Sequence, residues 1–239
     1  MAKHNGRIAG IYPLSQTYPA TAKVETNAAA IRRAHRVRVR AQSSDHREFM
    51  PPETWHEPQD RTDGYRFVVQ PAGTGFRHVV TVDEVRNRLA QLPPEFLRPL
   101  QVVHFGTVTR KKRSMPLYGM QWGSALYLYP LEADLVESYP VPPGPTQLNE
   151  ARMYGGRWEQ VGKRWHLTWT LAAAKDFYLN NILIHELGHL LDDRNTRTVD
   201  RERYAEWFAV QYGYLPTQAG RRAALPPERR EVVRRHGRR

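Results

Sequence analysis

Cysteine is absent from all 239 residues. Disulfides and cysteine–zinc sites are therefore excluded, and any metal in this chain must be held by histidine and carboxylate. Long apolar runs are missing too, since no stretch approaches the roughly 18–20 apolar residues of a membrane span. The opening MAKHNGRIAGIYPLSQTYPA has no continuous apolar segment of the secretory kind. A cytoplasmic chain with no membrane partner is the expectation, with signal-free secretion as the other route. Acids are scarce: 24 Asp and Glu stand against 36 Lys and Arg, for a net charge of +12. Thirty of those 36 bases are Arg, whose planar fork suits phosphate, so an anionic partner belongs among the readings.

What is present divides unevenly. Residues 1–75 read as a basic, Pro-containing arm, with IRRAHRVRVR at 31–40 and an aperiodic polar stretch at 41–63. Tyr65–Gln70 (YRFVVQ) is a possible first strand. Residues 76–219 carry globular patterning. Thr81 and Glu84 form a capping box, and Val82, Val85, Leu89 and Leu92 make one helical stripe ended by Pro93-Pro94. LQVVHFGTV at 100–108 and SALYLY at 124–129 read as buried strands. Residues 139–147 (YPVPPGPTQ) read as a surface loop. Gly162-Lys163 marks a hairpin turn, after which Trp165, Leu167, Trp169 and Leu171 alternate with polar residues as a half-buried strand. Helices are expected over about 173–193 and 200–212, and residues 220–239 form a tail with eight arginines. No internal repeat is visible.

The chemistry concentrates in NNILIHELGHLLDD at 180–193. On a helix His185 and His189 lie four apart on one face, where two imidazoles converge on one ion at ~2.0–2.1 Å. Glu186 lies one residue round, placed to take a proton from water at the metal. With ten His and fifteen Glu, HExxH arises by chance in roughly a few per cent of such chains, so the flanks matter. Ile182, Leu183, Ile184, Leu187, Leu190 and Leu191 put no charge beside the histidines, which implies burial. Buried histidines and a carboxylate are costly unless paired, and a metal pairs them. Gly188 costs about 1 kcal/mol in a helix interior, which fits a position where another backbone passes close.

This stretch resembles the zincin metallopeptidases. HELGHLLDD followed by a helix containing EWFA is similar to the gluzincin branch, and loosely to the catalytic domain of anthrax lethal factor and related bacterial toxin peptidases. The extended metzincin pattern is absent, because Asp192 and Asn195 stand where it needs Gly and His. The resemblance implies an α+β fold with a small mixed sheet, an edge strand packed on the HExxH helix, and a following helix bearing a glutamate. It also implies one Zn²⁺ ion, and a protein or peptide substrate.

A third ligand is needed, and Glu202 and Glu206 are the candidates. The ExxA pattern Glu202-Arg-Tyr-Ala205 selects Glu202, while EWFA selects Glu206. If the helices end near Asp193 and begin near Asp200, the level between the histidines lies about 9 Å from the first end. Glu206 lies equally deep in the second helix and Glu202 only about 3 Å in, which favours Glu206. Asp193 could orient His189, although Asp192 and Asp193 also suit a helix exit. The metal set is then His185, His189 and Glu206, with Glu186 as general base. The strand Trp165–Leu171 would be the edge for an extended substrate, and Tyr204, Tyr212 and His166 are candidate transition-state donors. The alternatives are a nucleic-acid-associated protein acting through residues 31–40, 109–113 and 221–239, and a pseudo-peptidase that keeps the fold without the hydrolysis.

Overall fold

A computed structural model describes residues 51–60, 64–109 and 117–224. The basic run at 31–40, all of 109–113 except Thr109, and the tail beyond residue 224 lie outside the described residues.

The chain is mixed α and β, with small sheets. Strands β1 (Arg66–Val69), β3 (Val102–Phe105), β5 (Ala125–Leu128) and β4 (Gly119–Trp122) form a four-stranded sheet in that spatial order. The first three are parallel, and β4 is antiparallel to β5 at the edge. The β1-to-β3 crossover carries helix α1 (Val82–Leu89), as a parallel pair requires. Its capping box is complete: the Thr81 amide donates to Glu84 Oε2 at 2.8 Å and the Glu84 amide donates to Thr81 Oγ1 at 3.2 Å. A short two-stranded antiparallel sheet pairs β2 (Phe76–Arg77) with the distant β6 (Leu131–Glu132). A third sheet has the order β7 (Val136–Tyr139), β9 (Arg164–Thr168), β8 (Arg157–Val161).

Three boundaries differ from the sequence reading. The arm does not run to residue 75, because β1 pairs with β3 inside the main sheet. The loop expected over 139–147 ends at Gly144, and Pro145–Tyr154 is a helix, α2. Proline at the first helical turn has no amide to waste and starts a helix as readily as it breaks one. The Arg-rich tail does not begin at 220, since helix α6 (Leu215–Ala224) runs across that point and Arg221 pairs with Asp176 at 2.6 Å.

Helix α3 (Leu171–Phe177) continues through a π turn, Tyr178–Ile182, into α4 (Leu183–Leu191). Helix α5 (Thr198–Ala209) likewise passes through a π turn, Val210–Tyr214, into α6. The two π turns meet, held by buried Arg88. Its Nε donates to Asn180 Oδ1 at 2.6 Å and its Nη2 to the Tyr212 carbonyl. Wider π turns interrupt helices at functional sites more often than elsewhere, and here one directly precedes the histidines.

Strand alternation divides the sheet's two faces. Val103, Phe105, Leu126 and Leu128 join the main core with Leu183, Ile184 and Leu187 of α4. Val102, Ala125 and Tyr127 form the opposite face, over which residues 51–60 lie. There Tyr127 donates its hydroxyl to the Thr54 carbonyl at 2.8 Å, and His104 Nδ1 lies 2.7 Å from His56 Nε2. His104 is 1% exposed. Burial, aided by the charges of His56, Arg66 and His78, pushes its pKa down to about 4. An unfolded histidine near pKa ~6.5 therefore takes up a proton that the folded one refuses. Stability from His104 is full above about pH 6.5 and falls as pH drops towards its folded pKa, by about 3 kcal/mol at most. Urea denaturation at about pH 7.5 and about pH 4 checks this, with a His104→Gln variant expected to lose most of that share of the pH slope.

Candidate metal centre

The α4–α5 helical hairpin brings candidate ligands together. Leu183, Ile184 and Leu187 fix the buried face of α4 at 0% exposure, which leaves His185 and His189 on its partly open side. Their rings meet edge to face, with centroids 4.8 Å apart at 80°. Gly188 permits close packing of the two helices: a Cβ there would lie 2.9 Å from Ala205 Cα and 3.0 Å from Phe208 Cβ. The backbone approach expected at this glycine is therefore present, and α5 supplies it.

His185 Nε2 and His189 Nε2 lie 3.1 Å apart. The Glu202 carboxylate faces both rings, with Oε2 at 3.7 Å from His185 Nε2 and Oε1 at 3.5 Å from His189 Nε2. Two ligand atoms each about 2.1 Å from one tetrahedral ion are about 3.4 Å apart, and the separations seen here, one to each carboxylate oxygen, lie close to that spacing. The donor set, two imidazoles and one carboxylate, suits zinc and leaves a fourth position open. Among the described residues these three form the one group of histidines and acids clustered closely enough to share a cation.

Glu206, favoured above by helix depth, is not in this group. The helix ends explain why. Helix α4 stops at Leu191 and α5 starts at Thr198, each two residues earlier than the depth argument assumed. Midway between the histidines is then about 6 Å from the end of α4, and Glu202 is about 6 Å into α5, whereas Glu206 is about 12 Å in. Glu206 instead contributes to the acidic surroundings that, after burial and the charges of Asp176 and Glu150, raise the Tyr154 pKa.

Glu186 is 9% exposed and faces edge strand β4. A Cβ on Gly119 would lie 2.9 Å from Glu186 Cγ and 3.0 Å from its Oε1. Gly119 thus lets the strand backbone lie against the carboxylate. Burial foremost, then the charges of Glu53, Tyr127 and Glu186, raises the pKa of the neighbouring Tyr129 hydroxyl. Beside the site, Arg201 Nη2 donates to the His189 carbonyl at 3.3 Å and to Gln121 Oε1 of β4 at 3.4 Å.

Other expectations are redrawn. Trp165–Leu171 is not the substrate edge, because β9 is paired on both sides and the chain turns into α3 at Leu171. Thr170 caps that helix, accepting from the Ala173 amide at 3.1 Å. Among the described residues the sheet edge beside the candidate ligands is β4, which the sequence reading missed. Its signal was present in Gly123-Ser124, a two-residue hairpin loop with Gly123 at φ 56°. His166 lies within the third sheet, opposite Ser138 and Glu159. Tyr204 packs on Trp207 and Phe208, and lies two residues, about 200° round α5, from Glu202. Tyr212 packs against Phe96 and Phe208. Asp192 organises the helix exit, accepting from the Asn195 amide at 3.2 Å and its Nδ2 at 2.9 Å, and Asp193 is exposed.

Comparison of the chain with protein-family models, with curated proteins and with solved structures finds no match.

Proposed function

We propose that this chain is a zinc-dependent metallopeptidase of zincin type, with His185, His189 and Glu202 as ligands and Glu186 as general base. The observation that carries the reading is the His185, His189 and Glu202 cluster, with separations of 3.1, 3.5 and 3.7 Å between its ring nitrogens and carboxylate oxygens, beside the buried carboxylate of Glu186. Zinc held there supplies a water of lowered pKa and a Lewis acid for the scissile carbonyl. The edge of β4 offers backbone hydrogen bonds to an extended peptide. Glu186 takes the water proton on a carboxylate oxygen as the water oxygen bonds the carbonyl carbon. It returns the proton to the amine nitrogen as the C–N bond breaks. Gly119 keeps that carboxylate and the substrate strand in contact range.

Zinc analysis tests the reading directly. Purified wild type is expected to carry about one equivalent of zinc and to hydrolyse casein. Glu202→Gln is expected to weaken zinc binding by more than about a hundredfold, beyond the usual effect of losing a group that only orients a ligand. Glu206→Gln is expected to keep its zinc. A well-folded wild type without zinc sinks the peptidase reading, and zinc loss from Glu206→Gln alone would restore Glu206 as the ligand.

A further inference from the structure

Arg201 bonds both α4 and β4 beside the candidate ligands. Arg203 pairs with Asp200 at 3.0 Å and Arg221 with Asp176 at 2.6 Å, and Arg86 pairs with Asp83. Arg201 makes no ion pair among the described residues. Its two bonds, at 3.3 and 3.4 Å, are long, go to neutral oxygens, and both come from Nη2. A guanidinium has five N–H donors, so Nε and Nη1 keep their donors for another acceptor. This cation adjoins Glu202 in sequence and touches the strand that flanks the metal ligands.

Strand geometry says what would meet it. Side chains alternate along β4, so Gln121 shares the face of Gly119, the face turned to Glu186. A peptide pairing along this edge places the residue opposite Gln121 on that same face, with Cβ atoms about 4.5–5.5 Å apart. That side chain arrives beside the Arg201 guanidinium. It lies two positions along from the residue opposite Gly119, where β4 itself contributes no side chain and Glu186 lies close. Arginine holds a carboxylate through two parallel charge-assisted bonds, which a neutral amide does not match.

We propose that Arg201 makes this site selective for peptides carrying a carboxylate close to the scissile bond. The proposal rests on the metallopeptidase reading for its register, but not for the carboxylate contact itself. The carboxylate is an acidic side chain or the C-terminus of a short peptide, since both present the same pair of oxygens.

The test uses uncharged fluorogenic peptides through which one Glu is walked, each with a Gln twin and a Lys twin, made with free and amidated C-termini. Wild type is expected to cleave the Glu peptide at least about tenfold better in kcat/KM than its Gln twin at one position. If only free C-termini are preferred, the carboxylate recognised is the terminal one. Arg201→Glu is expected to invert the preference towards the Lys twin. Unchanged zinc content and melting temperature show that the variant is folded. A merely structural Arg201 would leave the charge preference unmoved, and that result overturns the proposal.

Calorimetric titration of the same peptides into Glu186→Gln protein separates the two readings. Cleavage without charge preference overturns the carboxylate site and leaves the peptidase intact. Preferential Glu-peptide binding without cleavage by wild type sustains the site and sinks the peptidase. Equal binding without cleavage overturns both.

Discussion

Glu186→Gln is expected to lower caseinolytic activity by about 10²- to 10⁴-fold while leaving the zinc content close to that of wild type. The variant keeps the shape of a side chain that is 9% exposed and pressed against the backbone of Gly119, so the packing of α4 should survive. What it loses is the basic oxygen that, on the proposed reading, accepts a proton. Because Glu186 lies outside the ligand triangle of His185, His189 and Glu202, its amide should not disturb the metal. Activity assays and metal analysis on one preparation decide the matter. Undiminished hydrolysis removes Glu186 as the base, and loss of zinc together with activity would make it a ligand.

Gly213→Ala is expected to destabilise the fold by about 3 kcal/mol or more, or to prevent folding. A Cβ at residue 213 would stand 1.9 Å from the Asn180 carbonyl oxygen and 2.9 Å from its carbon. Both are backbone atoms, so no rotamer change relieves the clash and one π turn must move off the other. The Asn180 carbonyl also accepts from the Tyr154 hydroxyl at 3.2 Å, and its side chain lies between Arg88 and Asp176. Displacement there disturbs a buried polar group as well as packing. Gly220→Ala is the control: it lies in a helix with nothing within 4 Å of its added Cβ. It should be neutral or stabilising by about 0.5–1 kcal/mol. Urea denaturation of the three proteins checks both, and a Gly213→Ala variant as stable as wild type would refute the close approach.

Features written in local chemistry were legible in the sequence. The Thr81–Glu84 box, the buried strands β3 and β5, the hairpin at Gly162-Lys163 and the convergence of His185 with His189 each depend on residues a few positions apart. Gly188 was legible for a different reason, because its cost in a helix interior has to be offset by some neighbour. Long-range choices were not. Nothing in Trp165–Leu167 says that β7 would cover one edge and β8 the other. Nothing in Gly119–Trp122 says that this short, half-buried strand would lie along α4. The choice of third ligand turned on a quantitative point. Two residues of slip at each helix end shift relative depth by about 6 Å, enough to exchange Glu206 for Glu202.

The hairpin between α4 and α5 has one more implication, for the order in which the molecule assembles. His185 and Glu202 span only eighteen residues, and the link between their helices is organised by its own Asp192. The β1–β3 pairing joins Arg66 to Val102, with twice that separation. Closing the shorter loop sacrifices less chain entropy, and contacts near in sequence form sooner than distant ones. A nascent chain can therefore assemble its ligand set within one helical hairpin before its main sheet is paired. On the proposed metallopeptidase reading, metal availability during synthesis would then bear on folding yield as well as on activity.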